Sequence, residues 1–464
     1  MTATHKTYQE GATRDLAMFA ANLRYEDIPA EVVQHAKLCM LDSLGCGIFG
    51  AALPWTRTVA DMVRDEGAKG NCTIYGQSDR TSPANAALVN STACHAYELD
   101  DIHKLSMFHP GSIAVPVALA LAQYEGNTNG RRVIAAIVAG YEVSNRVGMA
   151  AGMSLFFRGY HPQGACGVFT AGTTAAGILG LSPEQTWHAI GIAGTQAAGL
   201  MAAQEGSMVK RFHSGRSAQS GVYAGLLARR NFTGIVDVIE AGYGGFLSTI
   251  SGDPKPEYLT AGLHKNWETI NTGFKPYACV TSIHSALDGL RQLMKDHKLT
   301  ADSIAKVDVG LSPMTYLHCA WEYKAQGVTA AQMNLFFGLS AIAVDGDAFV
   351  AQYKDDRIAD PAILRFIKKI NAYVDPEIEK MGARARHSMR MKVTDVSGRA
   401  FETYVEHRRG SPENPLSWDD IERKFRLLCA ERIDQRRADR IVDLVKHAET
   451  LDSVDAICAE MSTA

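Results

Sequence analysis

Between Glu98 and His109 the run ELDDIHKLSMFH places three carboxylates, Glu98, Asp100 and Asp101, beside two imidazoles, His103 and His109. Carboxylates close to imidazoles can push their pKa values apart, leaving one proton donor and one acceptor at neutral pH. The same groups are competent metal ligands. However, HExxH and HxxEH are both absent, and no cysteine spacing completes a ligand set. A structural alternative is a loop whose acids cap the helix beginning near Ser112.

Further along, RGYHPQGACG sets His161 immediately before a proline and a glycine-rich helix start. A lone histidine is more often a satisfied structural residue than a catalyst. At a helix N-terminus, however, it faces the place where anions are favoured. The run GSMVKRFHSGRSAQSG carries Lys210, Arg211, His213 and Arg216 among small and apolar residues. Most lysines lie on solvated faces. A lysine buried here would need an anionic partner, either a substrate carboxylate or Glu98 or Asp101. GFKPYACVTSIHSALDGL adds Lys275 and His284, and LHCAWEY adds His318; a structural role is the expectation for each histidine on its own. There is no GxSxG, and no cysteine has a local activating partner. Gly45-Cys46-Gly47-Ile48-Phe49-Gly50 matches GxGxxG in letters only. The residues before it have helical rather than strand character, so it is read as helix packing and not as a dinucleotide site.

These groups need a scaffold, and the composition allows a large one. The 464 residues are 46% hydrophobic and 21% charged with net charge −3, which predicts a globular chain and gives no electrostatic case for nucleic acid or an anionic membrane. The N-terminal stretch lacks the pattern of a signal peptide, and no uninterrupted apolar span of membrane length occurs. Nine scattered cysteines without a CxxC pair are read as reduced, mostly buried thiols of a cytoplasmic protein. From residue 12 to about 250 the periodicity is helical and rich in alanine and glycine. Ser182, Pro183 and Gln185 form one clear helix start. After Gly262 the texture changes. Val307, Val309 and Leu311 alternate as in a strand, two strands flank Ser397-Gly398, and a helix ends at Gly346. Helices return at Ser417, with Asp420 three residues on. The expected fold is mostly α with an inserted α+β domain: residues 1–265 helical, 266–405 α+β, and 406–464 completing the helical domain. The join between two such domains is a usual place for a ligand cleft.

As a set, ELDDIHKLSMFHPGS, GYHPQGACGVF, MVKRFHSGRSAQSG, GYGGFL, KPYACVTSIHSAL and NPLSWDDIERKF resemble the MmgE/PrpD family over nearly the whole chain. That family includes 2-methylcitrate dehydratases, cis-aconitate decarboxylases and an iminodisuccinate epimerase. The resemblance implies a helical domain with an inserted lid, a homodimer, and catalysis without metal, nucleotide or flavin. It places catalytic roles on His109, His161 and Lys210, and substrate binding on Glu98, Asp101, His103 and His284. His109 would exchange a proton with carbon, and Lys210 would hold a carboxylate and the developing charge. Three positions depart from the family pattern: Glu98 stands where aspartate is common, Ile102 where threonine is common, and Phe337 where many members carry tyrosine. The details ELDD, MVKR and HCAW resemble the fungal decarboxylases most. The implied activity is a cofactor-free lyase of a small polycarboxylate, cis-aconitate decarboxylase-like. Hydro-lyase and epimerase chemistry are the alternatives within the family, and a metal-dependent hydrolase built on Asp100, Asp101, His103 and His109 the alternative outside it.

Overall fold

The computed structural model describes residues 7–205 and 207–462. Contacts divide the chain into two compact units. The first comprises residues 1–96, 100–273 and 417–464; the second comprises Tyr97–Leu99 and Phe274–Leu416. The second unit thus runs from 274 to 416, where sequence texture alone placed its ends at 266 and 405. It also takes Tyr97–Leu99, and with them Glu98 and Leu99 of the ELDD stretch.

The first unit is a helical assembly. Pro162–Leu179 packs against both Val209–Ala228 and Gly130–Phe157, and Pro83–Cys94 packs against Val209–Ala228. Every residue of Pro83–Cys94 is buried, which explains its lack of a polar face. Small residues make this density possible. A Cβ on Gly221 would overlap the side chain and backbone of Ala171, so the two central helices meet through bare backbone. Ala30–Gly50 carries GCGIFG within a continuous helix, in keeping with its reading as packing. The C-terminal segment returns through Trp418–Cys429, opened by the Ser417–Asp420 capping box. It is fixed to Ala30–Gly50 by a buried ion pair, Lys424 Nζ to Asp42 Oδ1 at 2.6 Å. All nine cysteines are free and buried. Among the described residues, no single helix is long and apolar enough to cross a membrane.

The second unit is built on a four-stranded sheet in the order Ile370–Val374, Ile304–Leu311, Met389–Asp395, Ala400–Val405. The first pair is parallel and the others antiparallel. Three of these strands are marked in the sequence by alternating hydrophobicity. Ile370–Val374 is not so marked, because this edge strand is short and only Ile370 is buried. His284–His297 packs on the two C-terminal strands. The unit's ends are joined where the Phe274 amide donates to the Gly410 carbonyl at 2.7 Å. The expected helix ending at Gly346 is two helices, Val328–Met333 and Leu335–Asp345. The break falls at Asn334, whose side chain caps the second.

The close approach at Gly221 carries a prediction. Gly221→Ala forces Val209–Ala228 away from Pro162–Leu179 and is expected to destabilise the protein by about 1–3 kcal/mol, read as a lower denaturant midpoint. An unchanged midpoint would refute the backbone contact.

Candidate active site

Four helix ends of the first unit supply the chemistry. His95 is the C-cap of Pro83–Cys94. His109 lies two residues before Gly111–Glu125, and His161 is the N-cap of Pro162–Leu179. Lys210 sits in the first turn of Val209–Ala228, and His213 is its fifth residue. Three of the four are N-termini, where backbone N–H groups and the helix dipole favour negative charge.

The imidazoles form a continuous group. Ring centroids lie 5.1 Å apart for His95 and His109, 6.0 Å for His95 and His161, and 5.1 Å for His161 and His213. His161 Nδ1 and His213 Nδ1 are 2.9 Å apart, so one carries the hydrogen and the other accepts it. Asp100 serves two rings: its Oδ2 lies 2.7 Å from His95 Nδ1 and 3.5 Å from His109 Nδ1. The tighter partner of His109 Nδ1 is the Asp101 carbonyl at 2.6 Å. A ring nitrogen that close to a carbonyl must donate, which fixes the His109 tautomer and leaves Nε2 as its basic atom. His95 Nε2 is buried without a hydrogen-bond partner.

The main chain of His109 is held as firmly as its ring. Its amide donates to Gln163 Oε1 at 3.1 Å, and its carbonyl accepts from Gln163 Nε2 at 3.1 Å. The same Nε2 reaches Ser112 and Ser214, whose hydroxyls are 3.1 Å apart. Asp101 also caps Gly111–Glu125, as the structural reading of the acidic run expected: Oδ1 accepts from the Gly111 amide at 3.1 Å, while Oδ2 accepts from the Tyr141 hydroxyl at 2.6 Å.

Lys210 is buried, and burial together with its charge drives His161 well below the ordinary imidazole range. His95, His213 and His109 push the same way. His213 is pulled down to about 4 by burial, His95 and Lys210. Burial pushes the Asp101 carboxyl up to about 8; the Tyr141 hydrogen bond opposes this, Asp42 and Asp100 add to it, and the Gly111 amide opposes it again.

His95, Asp100 and His109 have ligand atoms within 4.8 Å of one another, a spacing a divalent ion could span. The donor set fits such an ion poorly. The His109 nitrogen nearest Asp100 already donates to a carbonyl, so its lone pair is not available. The arrangement is suited to holding and moving protons.

His109, His161 and Lys210 therefore share one region of the first unit, and Asp101 supports it. His103 does not join them: it is fully buried, with Nδ1 on Ser106 at 2.9 Å and Nε2 on Glu268 at 3.2 Å, so both ring nitrogens are engaged in structure. Glu98 and His284 belong to the second unit. Glu98, at a left-handed φ of 57°, pairs with Lys275 at 3.1 Å. His284 is fully buried, with Nε2 3.2 Å from the Cys279 carbonyl and its ring edge-on to Tyr277. No local signal in the sequence marks His95 or Gln163 as part of the site. His213 stands out only within a basic run, although three residues from Lys210 is one turn of the same helix face.

The chain matches the MmgE/PrpD N-terminal domain over residues 14–259 and the MmgE/PrpD C-terminal domain over residues 277–450. It belongs to the MmgE/PrpD family. Among its relatives, a cis-aconitate decarboxylase-like protein of Aspergillus oryzae is 33% identical, covering 100% of this chain and 99% of the relative. A cis-aconitate decarboxylase of Aspergillus terreus is 31% identical over 97% and 95% of the two chains. The human cis-aconitate decarboxylase is 24% identical over 96% and 93%. Of the departures from the MmgE/PrpD pattern, Phe337 is a fully buried core residue between Tyr323 and Tyr353. Ile102 is half-buried in a short strand pairing with Gly273.

Asp101 ties this site to stability. Its folded-state carboxyl titrates near 8, while in the unfolded chain it titrates near 4. The folded protein thus holds a proton that the unfolded chain has lost, so this contribution is full below about pH 4 and vanishes as pH climbs through about 8. His213, lowered to about 4, has the opposite slope between its folded value and the ordinary imidazole range. Asp101→Asn is expected to flatten the fall in unfolding free energy between about pH 5 and pH 8, measured by urea denaturation at several pH values. Identical slopes in the variant and wild type would refute a protonated Asp101.

Proposed function

We propose that this MmgE/PrpD enzyme is a cofactor-free lyase that decarboxylates cis-aconitate to itaconate. The observation that carries the reading is the buried Lys210 and three imidazoles gathered at helix N-termini, a setting built for an anion and for proton transfer. The names of the relatives point the same way.

Lys210 and the helix ends hold the substrate carboxylates. The bond to the carboxyl group on the carbon next to the double bond breaks, and carbon dioxide leaves. The electron pair moves into a new double bond as the old one shifts. Charge gathers on the far carbon and its carboxylate, where Lys210 stabilises it. His109, with its tautomer and main chain fixed, donates the proton that completes the new C–H bond. His161 assists that transfer, and Asp100 orients His95 and His109. The substrate-binding roles expected for Glu98 and His284 rest on family resemblance. Glu98→Gln and His284→Gln are expected to raise KM more than they lower kcat. On the same footing, the functional form is a cytoplasmic homodimer. The exposed apolar side chains Phe157, Leu200, Met208, Val209 and Tyr243 offer a surface for a second copy, tested by light scattering.

Proton NMR of the chelator-treated enzyme with cis-aconitate in deuterated water tests the reaction. The expected product is itaconate carrying one deuterium at the newly protonated carbon. Water loss from 2-methylcitrate with no change in cis-aconitate would make the enzyme a dehydratase, and activity abolished by chelation would restore the metal reading. His109→Ala is expected to lower kcat by roughly a hundredfold or more; full activity in that variant would overturn its role. Asp100→Asn, which removes the carboxylate facing both rings, is expected to lower kcat by at least roughly tenfold with KM little changed.

A further inference from the structure

Decarboxylation of a tricarboxylate consumes a proton. The carboxylate leaves as neutral carbon dioxide, the electron pair it abandons forms a C–H bond, and the product carries one negative charge fewer. The histidine that gives up that proton must be recharged from water before the next turnover. His95 is almost fully buried, His161 nearly so, and His109 only slightly exposed, so the cluster has little direct access to solvent. His213, partly exposed like His109, is the fifth residue of Val209–Ala228 and hydrogen-bonds directly to the buried His161.

The geometry points to His213 as the proton inlet of this site, a relay residue that acts through His161. It rests on the lyase reading above, because only a reaction that takes up a proton needs it. The two Nδ1 atoms are 2.9 Å apart, and with both rings neutral a single hydrogen lies between them. When His213 takes a proton from water on Nε2, it can pass its Nδ1 hydrogen to His161. His161 then releases its own Nε2 proton toward the cluster. Each ring ends neutral with its tautomer reversed, and a ring flip or return transfer resets the pair. No oxidant or co-reactant is involved, and one proton crosses per turnover.

The surroundings favour transit over storage. Burial, with His95 and Lys210 adding to it, disfavours a resident positive charge on His213. Room for the ring comes from Gly199, which has φ 108° and no side chain; a Cβ there would lie 3.3 Å from His213 Nδ1. The Gly199 carbonyl also accepts from the His161 amide at 3.0 Å, so one residue positions both partners of the pair.

Two variants and one spectrum test the relay. His213→Ala is expected to lower kcat on cis-aconitate roughly tenfold to a hundredfold with little change in KM, and added imidazole should restore the rate in proportion to its concentration. His213→Gln keeps an N–H donor for His161 but cannot relay. It should turn over as slowly, with a rate that climbs with the concentration of small buffer acids, whereas the wild type shows no such dependence. Wild-type turnover in both variants, or slow variants that ignore imidazole and buffer, would overturn the relay. If His213→Ala does not fold, the buffer dependence of His213→Gln decides alone. The pair itself is read without substrate, as a nitrogen–nitrogen coupling across the hydrogen bond in imidazole-labelled protein; its absence would also overturn the proposal. A wild-type enzyme that releases no carbon dioxide but shows that coupling would sink the lyase reading and leave the pair standing.

Discussion

The helical unit is organised around three carboxylates that it buries together, Asp42, Asp100 and Asp101. Removing an ionised carboxylate from water costs several kcal/mol unless it is paired or protonated. Each of the three meets that condition differently. Asp42 has Lys424, brought in by the returning C-terminal helix. Asp100 faces two imidazole N–H groups. Asp101 has a phenol and a backbone amide, and holds its proton up to about 8. The arrangement links chain connectivity to chemistry, because Asp42 and Lys424 sit in electrostatic contact with Asp100. The C-terminal helices therefore do more than finish a fold: through Lys424 they bring a cation into the electrostatic surroundings of the carboxylate that faces His95 and His109.

Small residues are the second constraint. Helices lined by glycine, alanine and serine approach closely enough for four helix ends to bring each imidazole within 6.0 Å of the next. The serines share the task. Ser91, Ser112 and Ser214 join three helices through their hydroxyls, and Gln163 converts that junction into a clamp on the His109 backbone. Larger side chains at these crossings would move ring nitrogens by distances that matter to hydrogen bonds of 2.6–2.9 Å.

Much of this architecture is legible in the chain. The helical texture to about residue 250, the capping box at Ser182 and the one at Ser417 are local signals, set by periodicity and by side chains bonding their own helix starts. His109, His161 and Lys210 were legible because each stands in a short run of unusual composition. His95 and Gln163 lay beyond reach for a physical reason. His95 ends a helix of small apolar residues and acquires meaning only when Asp100 folds back onto it, and Gln163 matters only through a backbone 54 residues away. His103 shows the converse. Its position in the acidic run looked functional, yet Glu268, 165 residues on, takes its second nitrogen. The split of ELDD, with Glu98 in one unit and Asp100 and Asp101 in the other, is likewise invisible in a linear motif.

On the lyase reading, the charge distribution also lets one site bind an anion and still supply an acid. Burial, with Lys210 and the neighbouring imidazoles adding to it, disfavours a positive charge on His161 and His213. His161 and His213 therefore compete less with Lys210 for a carboxylate. An anion bound at these helix ends reverses the field. Its negative charges offset Lys210, and neighbouring rings gain protons more readily. Substrate arrival would therefore create the acid it requires. The same rings would return to neutrality as charge leaves with the product, so the protonation state follows occupancy.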